Sequence, residues 1–268
     1  MTGPVVGPVT DVVGLVLAAG RGSRMSPITD RTPKPLLTVD NQRLLDLAIG
    51  RIASLTPHLA VNAHHLADQV AAAAHAVDPT VHVSVEDELL GTAGALRRLR
   101  SFVDGRPVVL TNADLWLSDP IPTFLDGWDG ARPRLLVQDT GAPSDFGTLR
   151  YMGVSTVPAA VAARLEYSPS GLYSAVWRDA FAAGQLEFVE LTGRSFDCGT
   201  PAEFLTANLS AGNGSSVIAP DARVQGRVDR SVVLAGATVG PDEDLVCAIR
   251  DRFGVTMTAD PAQVHIRR

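Results

Sequence analysis

Hydrophobic positions follow two rhythms over roughly the first 113 residues, and the two alternate. Residues 12–19 form an unbroken apolar run, as expected of a strand covered on both faces. Leu44, Leu45, Ala48, Ile52 and Leu55 then recur at helical spacing. Residues 59–63 read as a second short strand, and Leu66, Val70, Ala73 and Val77 as a second helix. Val81, Val83 and Val85 alternate with polar residues, the signature of a third strand. Residues 93–102 read as a helix with arginines on one side, and Val108-Val109-Leu110 opens a fourth strand that runs into Thr111-Asn112-Ala113-Asp114. Strands alternating with helices predict βαβ units: an α/β, Rossmann-like fold with a mostly parallel sheet and helices on both faces. Ligands of such sheets bind beyond the carboxyl ends of the strands. Residues 20–24 and 112–114 both fall there.

From residue 135 onward the rhythm weakens. Residues 135–137, 149–154, 172–177 and 186–191 read as strands, some of them antiparallel. Residues 201–209 read as a helix, with Thr200 as its N-cap and Pro201 at the first helical position. Ala211-Gly212-Asn213-Gly214-Ser215-Ser216 is a linker by composition. Beyond it, Ile218 and Val224 are six apart, as are Val233, Val239 and Leu245, with turn-forming residues between them. That spacing predicts a short hexapeptide-repeat, left-handed β-helix stub. The expected organisation is a domain at 1–210 followed by the stub and tail at 211–268; residues 252–268 give no clear pattern.

Composition narrows the partners. The 268 residues are 46% apolar, enough for a large core, and the net charge is −6. A nucleic-acid surface is therefore not expected, and positive potential for an anionic ligand must be local. The two cysteines, Cys198 and Cys247, have neither disulfide nor metal spacing, which points to a reducing, cytoplasmic setting. Residues 1–11 lack the basic start of a signal peptide, and the apolar run at 12–20 is too short to span a bilayer.

The chemistry concentrates in LVLAAGRGSRMSPITDRTPKPLLTV. A P-loop is excluded, because no Gly-Lys-Ser/Thr follows four residues after a glycine. A dinucleotide fingerprint is excluded too: Met25 stands where its third glycine belongs, and Pro27, Pro33 and Pro35 oppose a helix. The prolines are expected to hold the segment extended. What remains is a strand, a glycine loop, Arg24, and Lys34 ten residues on. This segment resembles the signature of the sugar-1-phosphate nucleotidyltransferase family. Further segments are similar in the same order: Glu88-Leu89-Leu90-Gly91-Thr92-Ala93-Gly94, Thr111-Asn112-Ala113-Asp114-Leu115-Trp116, Phe146-Gly147, and Phe196-Asp197-Cys198-Gly199-Thr200-Pro201. The likeness covers about residues 12–210, and Asn112-Ala113-Asp114-Leu115-Trp116 is also similar to compact N-acetylmuramate-1-phosphate uridylyltransferases.

The resemblance implies transfer of a nucleoside monophosphate, uridylyl or guanylyl, from a nucleoside triphosphate to a sugar-1-phosphate. Pyrophosphate would be the second product and Mg²⁺ the cofactor. By that resemblance Arg24 and Lys34 are catalytic. Leu17, Ala18, Ala19, Gly20, Gly22, Ser23, Glu88, Gly91, Thr92 and Asn112 bind the nucleotide. Gly147 and Arg150 take the sugar phosphate, and Asp114 and Asp197 hold the metal. The chemistry of the residues agrees. Glycines admit phosphate to backbone N–H groups, a guanidinium forks onto phosphate oxygens, and carboxylates suit Mg²⁺. An attacking phosphate is already anionic and needs no general base. Lys34→Ala and Asp114→Asn are expected to remove turnover with little loss of stability.

The chain departs from the family in one respect. Many members carry a second lysine for the sugar phosphate, but Leu165-Glu166-Tyr167-Ser168-Pro169-Ser170 has none, and Lys34 is the sole lysine of the chain. An arginine, Arg150 or Arg178, must take its place. The alternative is a non-catalytic nucleotide-sugar-binding regulator, or transfer to a non-sugar phosphate. His64 and His65 are adjacent and would point apart on any regular element, so they read as surface residues. Gly91 and Thr92 are expected to cap the helix that follows as well as touch the base. The stub is expected to cover a flank of the chain or to join two copies.

Overall fold

A computed structural model describes residue 9 and residues 11–264. Residues 1–8 and 10, most of the run read above for a leader, and the last four of the tail lie outside that range. The chain packs as two compact units interleaved along the sequence. The first holds the described residues up to Gly20, with Ala48–Ala113 and Asp119–Gly193. The second holds Arg21–Leu47, Asp114–Ser118 and the described residues from Arg194 onward, including the linker-like run at 211–216.

The first unit is built on one seven-stranded sheet. Its strands are β1 (Val13–Leu17), β2 (Leu59–Ala63), β3 (His82–Val85), β4 (Val108–Asn112), β5 (Arg134–Ser144), β6 (Gly147–Val157) and β7 (Glu187–Glu190). Their spatial order is β7-β5-β6-β4-β1-β2-β3. β6 runs antiparallel to β4 and β5, and the other pairings are parallel. The parallel α/β expectation is met. Three of the helices matter here: α1 (Leu44–Ala53), which begins in the second unit and ends in the first, α2 (Ala67–Val77) and α3 (Gly91–Arg98). Strand alternation sends Gly14 and Leu15 to opposite faces. A side chain at Gly14 would collide with Ile52 of α1, so glycine there is what lets α1 lie close. Leu15 and Val13 instead pack with Ala93, Leu96 and Leu99 of α3 and the turn after it. The sheet is thus covered on both faces.

The order β2-β1-β4 means that the chain leaves β1 in one direction and returns to its other side at β4. This is the switch point at which open sheets form their crevice. Register pairs Leu17 with Asn112, so both strands end together. β6 pairs Thr111 with Val154, so residues 147–152 overhang the carboxyl end of β4.

One expected strand is a helix. Tyr173–Trp177 forms a wide π-type turn continuing into the helix Arg178–Ala182. Leu172, Val176 and Trp177 are buried and sit four and five residues apart, a helical face that the apolar content concealed. The proline segment also differs from expectation. It is not extended but folds into three 3₁₀ turns, Ser23–Met25, Ile28–Asp30 and Lys34–Leu36, with a cis Ser26–Pro27 peptide. Proline fixes a φ compatible with such turns while denying the donors a longer helix needs.

In the second unit these turns pack through Met25, Ile28 and Leu37 onto Phe204, Leu205 and Ala207 of the helix Pro201–Ala211, and onto Val217, Val232, Leu234 and Ile249. Thr200 caps that helix as expected: its Oγ1 accepts from the Glu203 N–H and donates to the Glu203 carboxylate. Beyond residue 216, two- and three-residue strands pair in parallel with strands 15 or 17 residues further along the chain. Val217 lies opposite Val232, Arg223 opposite Thr238, Arg227 opposite Asp244 and Val232 opposite Ile249. Arg250, 9% exposed, ties this region by bonds to the Glu243 carboxylate, the Thr238 carbonyl and the Thr256 hydroxyl. Thr256–Thr258 closes it by pairing antiparallel with Ala248–Arg250.

Candidate functional site

In the second unit a short ladder does the positioning. Leu115–Leu117 pairs antiparallel with Ser195–Asp197, and Leu115 stands opposite Asp197. The Cys198 N–H also donates to the Asp114 carbonyl. Asp114 and Asp197, distant in sequence, are thereby set side by side. Lys34 enters from the last 3₁₀ turn. Its Nζ donates to Asp114 Oδ2 at 2.5 Å and lies 3.9 Å from Asp197 Oδ1. Its side chain is 8% exposed.

Two carboxylates around one buried ammonium do not balance. Asp197 Oδ1 is buried and accepts no hydrogen bond among the described residues, although its side chain as a whole is 46% exposed. Burial first, then the neighbouring Asp114 charge, pushes the Asp197 carboxyl above its ordinary value, against the pull of Lys34 and Arg24. Cys198, next to Asp197, is fully buried, and burial drives its thiol far up, so it stays neutral. No cluster of three His, Cys, Asp or Glu able to hold a metal occurs among the described residues.

The surrounding glycines have separable causes. At Gly199 a Cβ would sit 2.6 Å from Arg24 Nη2, so glycine there makes room for the guanidinium. Gly22 has φ +64°, in the left-handed region, and a Cβ would press Lys34 Cβ at 3.0 Å. Gly20, the last residue of the first unit's opening segment, is exposed, and a Cβ there would meet nothing within 4 Å. Its own fold does not require a glycine. Ser23 is exposed at the start of the first 3₁₀ turn.

In the first unit, Leu17, Ala18, Ala19 and Gly20 leave β1 beside Asn112, and the Ala113 N–H donates to the Leu17 carbonyl. Gly91 and Thr92 are expected to cap α3. They do not cap α3: the helix starts at Gly91 itself and has no side-chain cap. The Thr92 hydroxyl instead accepts from the Leu172 N–H at 2.8 Å, and the Ala93 N–H donates to the Ser170 carbonyl at 2.9 Å. Gly91 has φ +69°, and a Cβ on it would lie 2.5 Å from the Ser170 oxygen; at Gly94 the Ser168 oxygen would be 2.7 Å away. The chain's own segment 168–172 straps this turn, and that is a sufficient reason for both glycines. Glu88 is exposed beside it. Gly147 and Arg150 are exposed on the overhang of β6, with Arg150 opposite Gln138. Arg178 is exposed and pairs with its neighbour Asp179.

Two polar residues escaped the sequence reading. Asn62 and Glu86 are buried, and Asn62 bonds to both Ala18 and Glu86. The signal was there: an asparagine inside Leu59–Ala63, an otherwise apolar strand, needs partners.

A family model described as Nucleotidyl transferase matches residues 13–157, just over half of the chain. The chain belongs to that family. Within the nucleotidyl transferases it is similar to the N-acetylmuramate alpha-1-phosphate uridylyltransferase of Caulobacter vibrioides, with 30% identity over 45% of this chain and 54% of that protein. It is also similar to a mannose-1-phosphate guanyltransferase of Aspergillus fumigatus, with 25% identity over 77% of this chain and 67% of that protein. The chain thus spans about half of the first relative's length and about two thirds of the second's. Among solved structures, one from Thermus thermophilus, called a mannose-1-phosphate geranyltransferase, has a TM-score of 0.69 at 16% identity, covering 92% of this chain and 94% of that one. Another, a candidate glucose-1-phosphate thymidylyltransferase from Bacillus anthracis, has a TM-score of 0.64 at 21% identity, covering 75% and 95%. These likenesses show a shared fold.

Proposed function

We propose that this nucleotidyl transferase family member moves a nucleoside monophosphate from a nucleoside triphosphate to a sugar-1-phosphate. The observation that carries the reading is the cluster of Lys34, Asp114, Asp197 and Arg24. In it a buried, unbonded carboxylate oxygen and a paired lysine stand ready for a polyphosphate and its cation. An oxygen of the sugar phosphate attacks the α-phosphorus; the new P–O bond forms as the bond to the β-phosphate breaks, and pyrophosphate leaves. The nucleophile is already anionic, so positioning and charge neutralisation supply the catalysis.

Asp114 and Asp197 fit Mg²⁺, which accepts one or two carboxylates and completes its shell with water and substrate oxygens. When bound, that ion neutralises charge on the triphosphate. Lys34 turns its ammonium to the α-phosphate, and Arg24 forks onto the departing phosphates. The backbone at Gly20, Gly22 and Ser23 admits phosphate oxygens. Leu17–Ala19, Glu88, Gly91, Thr92 and Asn112 serve the nucleoside. Arg150, with Gly147 on the overhang of β6, stands in for the missing second lysine.

The parallel circuits beyond residue 216 support reading that region as a short β-helix stub that floors the 3₁₀ turns. A cytoplasmic setting accords with two cysteines that are free and buried. Among the described residues no helix is long and apolar enough to cross a membrane.

The test is pyrophosphate release across a matrix of UTP, GTP, CTP, ATP and dTTP against a panel of sugar-1-phosphates, with and without Mg²⁺. Release that needs both substrates and the cation is expected, and the matrix names the base and the sugar. No release from any pair by folded protein sinks the proposal.

A further inference from the structure

A relay of buried polar groups ties two turns of the first unit. At the end of β1, the Ala18 N–H donates to Asn62 Oδ1 at 2.7 Å. Asn62 Nδ2 donates to Glu86 Oε1 at 2.7 Å, and the Leu90 N–H donates to Glu86 Oε2 at 3.1 Å. Asn62 is 4% and Glu86 2% exposed. The amide orientation is fixed from both ends, since a backbone donor needs the oxygen and a carboxylate needs the NH₂. Glu86 is itself held by backbone: its N–H donates to the Ala63 carbonyl, and its carbonyl bonds His64 Nδ1. Beyond Leu90 the tie continues, because the Leu90 carbonyl accepts from the Ser170 N–H.

Each end of this relay is a turn to which the proposed function gives work. One end begins Ala18-Ala19-Gly20, and the other stops one residue before Gly91. Neither Ala18 N–H nor Leu90 N–H is left to bind a ligand, so the relay positions backbone rather than touching substrate. A buried carboxylate is costly unless its bonds are made, and these bonds are made only while both turns hold their place.

We propose that Asn62 and Glu86 are the positioning pair of the nucleotide site: together they lock the turn after β1 to the turn before α3. The proposal rests on the function argued above. It assigns the positioning carboxylate to Glu86, two residues before the exposed Glu88.

A swap of polarity tests it. Glu86→Gln leaves one carbonyl oxygen for two donors, and Asn62→Asp sets two carboxylates together. The double variant N62D/E86Q rebuilds every bond with the charge moved to the other member of the pair. The carboxylate then at position 62 accepts from the Ala18 N–H and from the amide NH₂ at position 86, and the amide oxygen at position 86 accepts from the Leu90 N–H. The readouts are UTP and GTP binding by calorimetry, the nucleotide KM and kcat in pyrophosphate release, and the thermal midpoint. Each single change is expected to weaken nucleotide binding and raise the nucleotide KM by about tenfold or more, with kcat moved by less than about threefold; the double variant should return close to wild type. Wild-type protein that turns over nucleotide, with single variants of unchanged KM, overturns the pairing alone. So does a double variant no better than the worse single, or single variants whose loss falls on kcat. Wild-type protein that releases no pyrophosphate from any pair of the full matrix overturns the functional reading, and the pairing with it.

Discussion

Lys34 is held by the two carboxylates it is expected to serve. Its burial changes what its removal should do. From sequence, Lys34→Ala is expected to cost activity with little cost in stability, but the structure shows an ammonium 8% exposed against two acids. Without it, Asp114 and Asp197 face each other with the exposed Arg24 still acting on Asp197. We expect Lys34→Ala to lose turnover and also roughly 1–3 kcal/mol, a range discounted for the partial exposure of both acids, measured by urea denaturation. Asp197→Asn should act the other way on stability. Its folded carboxyl titrates above the ordinary 3.8, so the fold disfavours the ionised form; that penalty is complete above the folded value and absent below 3.8. The variant should therefore be more stable than wild type at pH 7, with the gain shrinking as pH falls toward 3.8, while turnover is lost. Denaturation midpoints over pH 4 to 7 check the sign, and a constant difference would contradict it.

At the scale of elements, the strap over α3 explains what a motif conceals. Leu-Gly-Thr-Ala-Gly reads as a ligand loop, yet Gly91 and Gly94 are required by the carbonyls of Ser170 and Ser168. Gly91→Ala is expected to cost about 2–4 kcal/mol, from left-handed strain and collision together. Gly141→Ala supplies the control: its φ is +64° with nothing within 4 Å, and it should cost only about 1 kcal/mol of strain. Equal losses in chemical denaturation would mean that the strap yields freely. The four parallel strands at 13–17, 59–63, 82–85 and 108–112 were legible because apolar runs and helical spacing alternate cleanly there. The stretch 172–177 was not, because six mostly apolar residues fit either period and only the buried set Leu172, Val176 and Trp177 decides. The proline segment misled for a related reason: proline excludes a long helix but permits short 3₁₀ turns. The acids of the candidate site were visible as motif members. What brings them together is the pairing of Leu115 with Asp197, and no spacing in the sequence encodes that register.

At the scale of the whole molecule, the boundary suggested by composition near residue 210 cuts through packing. Val217, Val232, Leu234 and Ile249 belong to the same buried cluster as Met25, Ile28 and Leu37. Each such side chain contributes on the order of 1.5–3 kcal/mol by burial. A chain ending at residue 210 should therefore leave the turns that carry Arg24 and Lys34 without their floor. Limited proteolysis is expected to cleave it within Arg21–Leu47, where the full chain resists; equal resistance would show that the turns stand without the C-terminal strands.

The interleaving also sets an order of events during synthesis. Residues 21–47 leave the ribosome well before Phe204 and Leu205, against which they pack and which emerge roughly 160 to 180 residues later. At cellular rates that is a wait of roughly ten to thirty seconds with Ile28 and Leu37 unburied. Substitutions that make those early turns more apolar should be punished in the nascent chain, as lost yield, before they are felt in the finished protein.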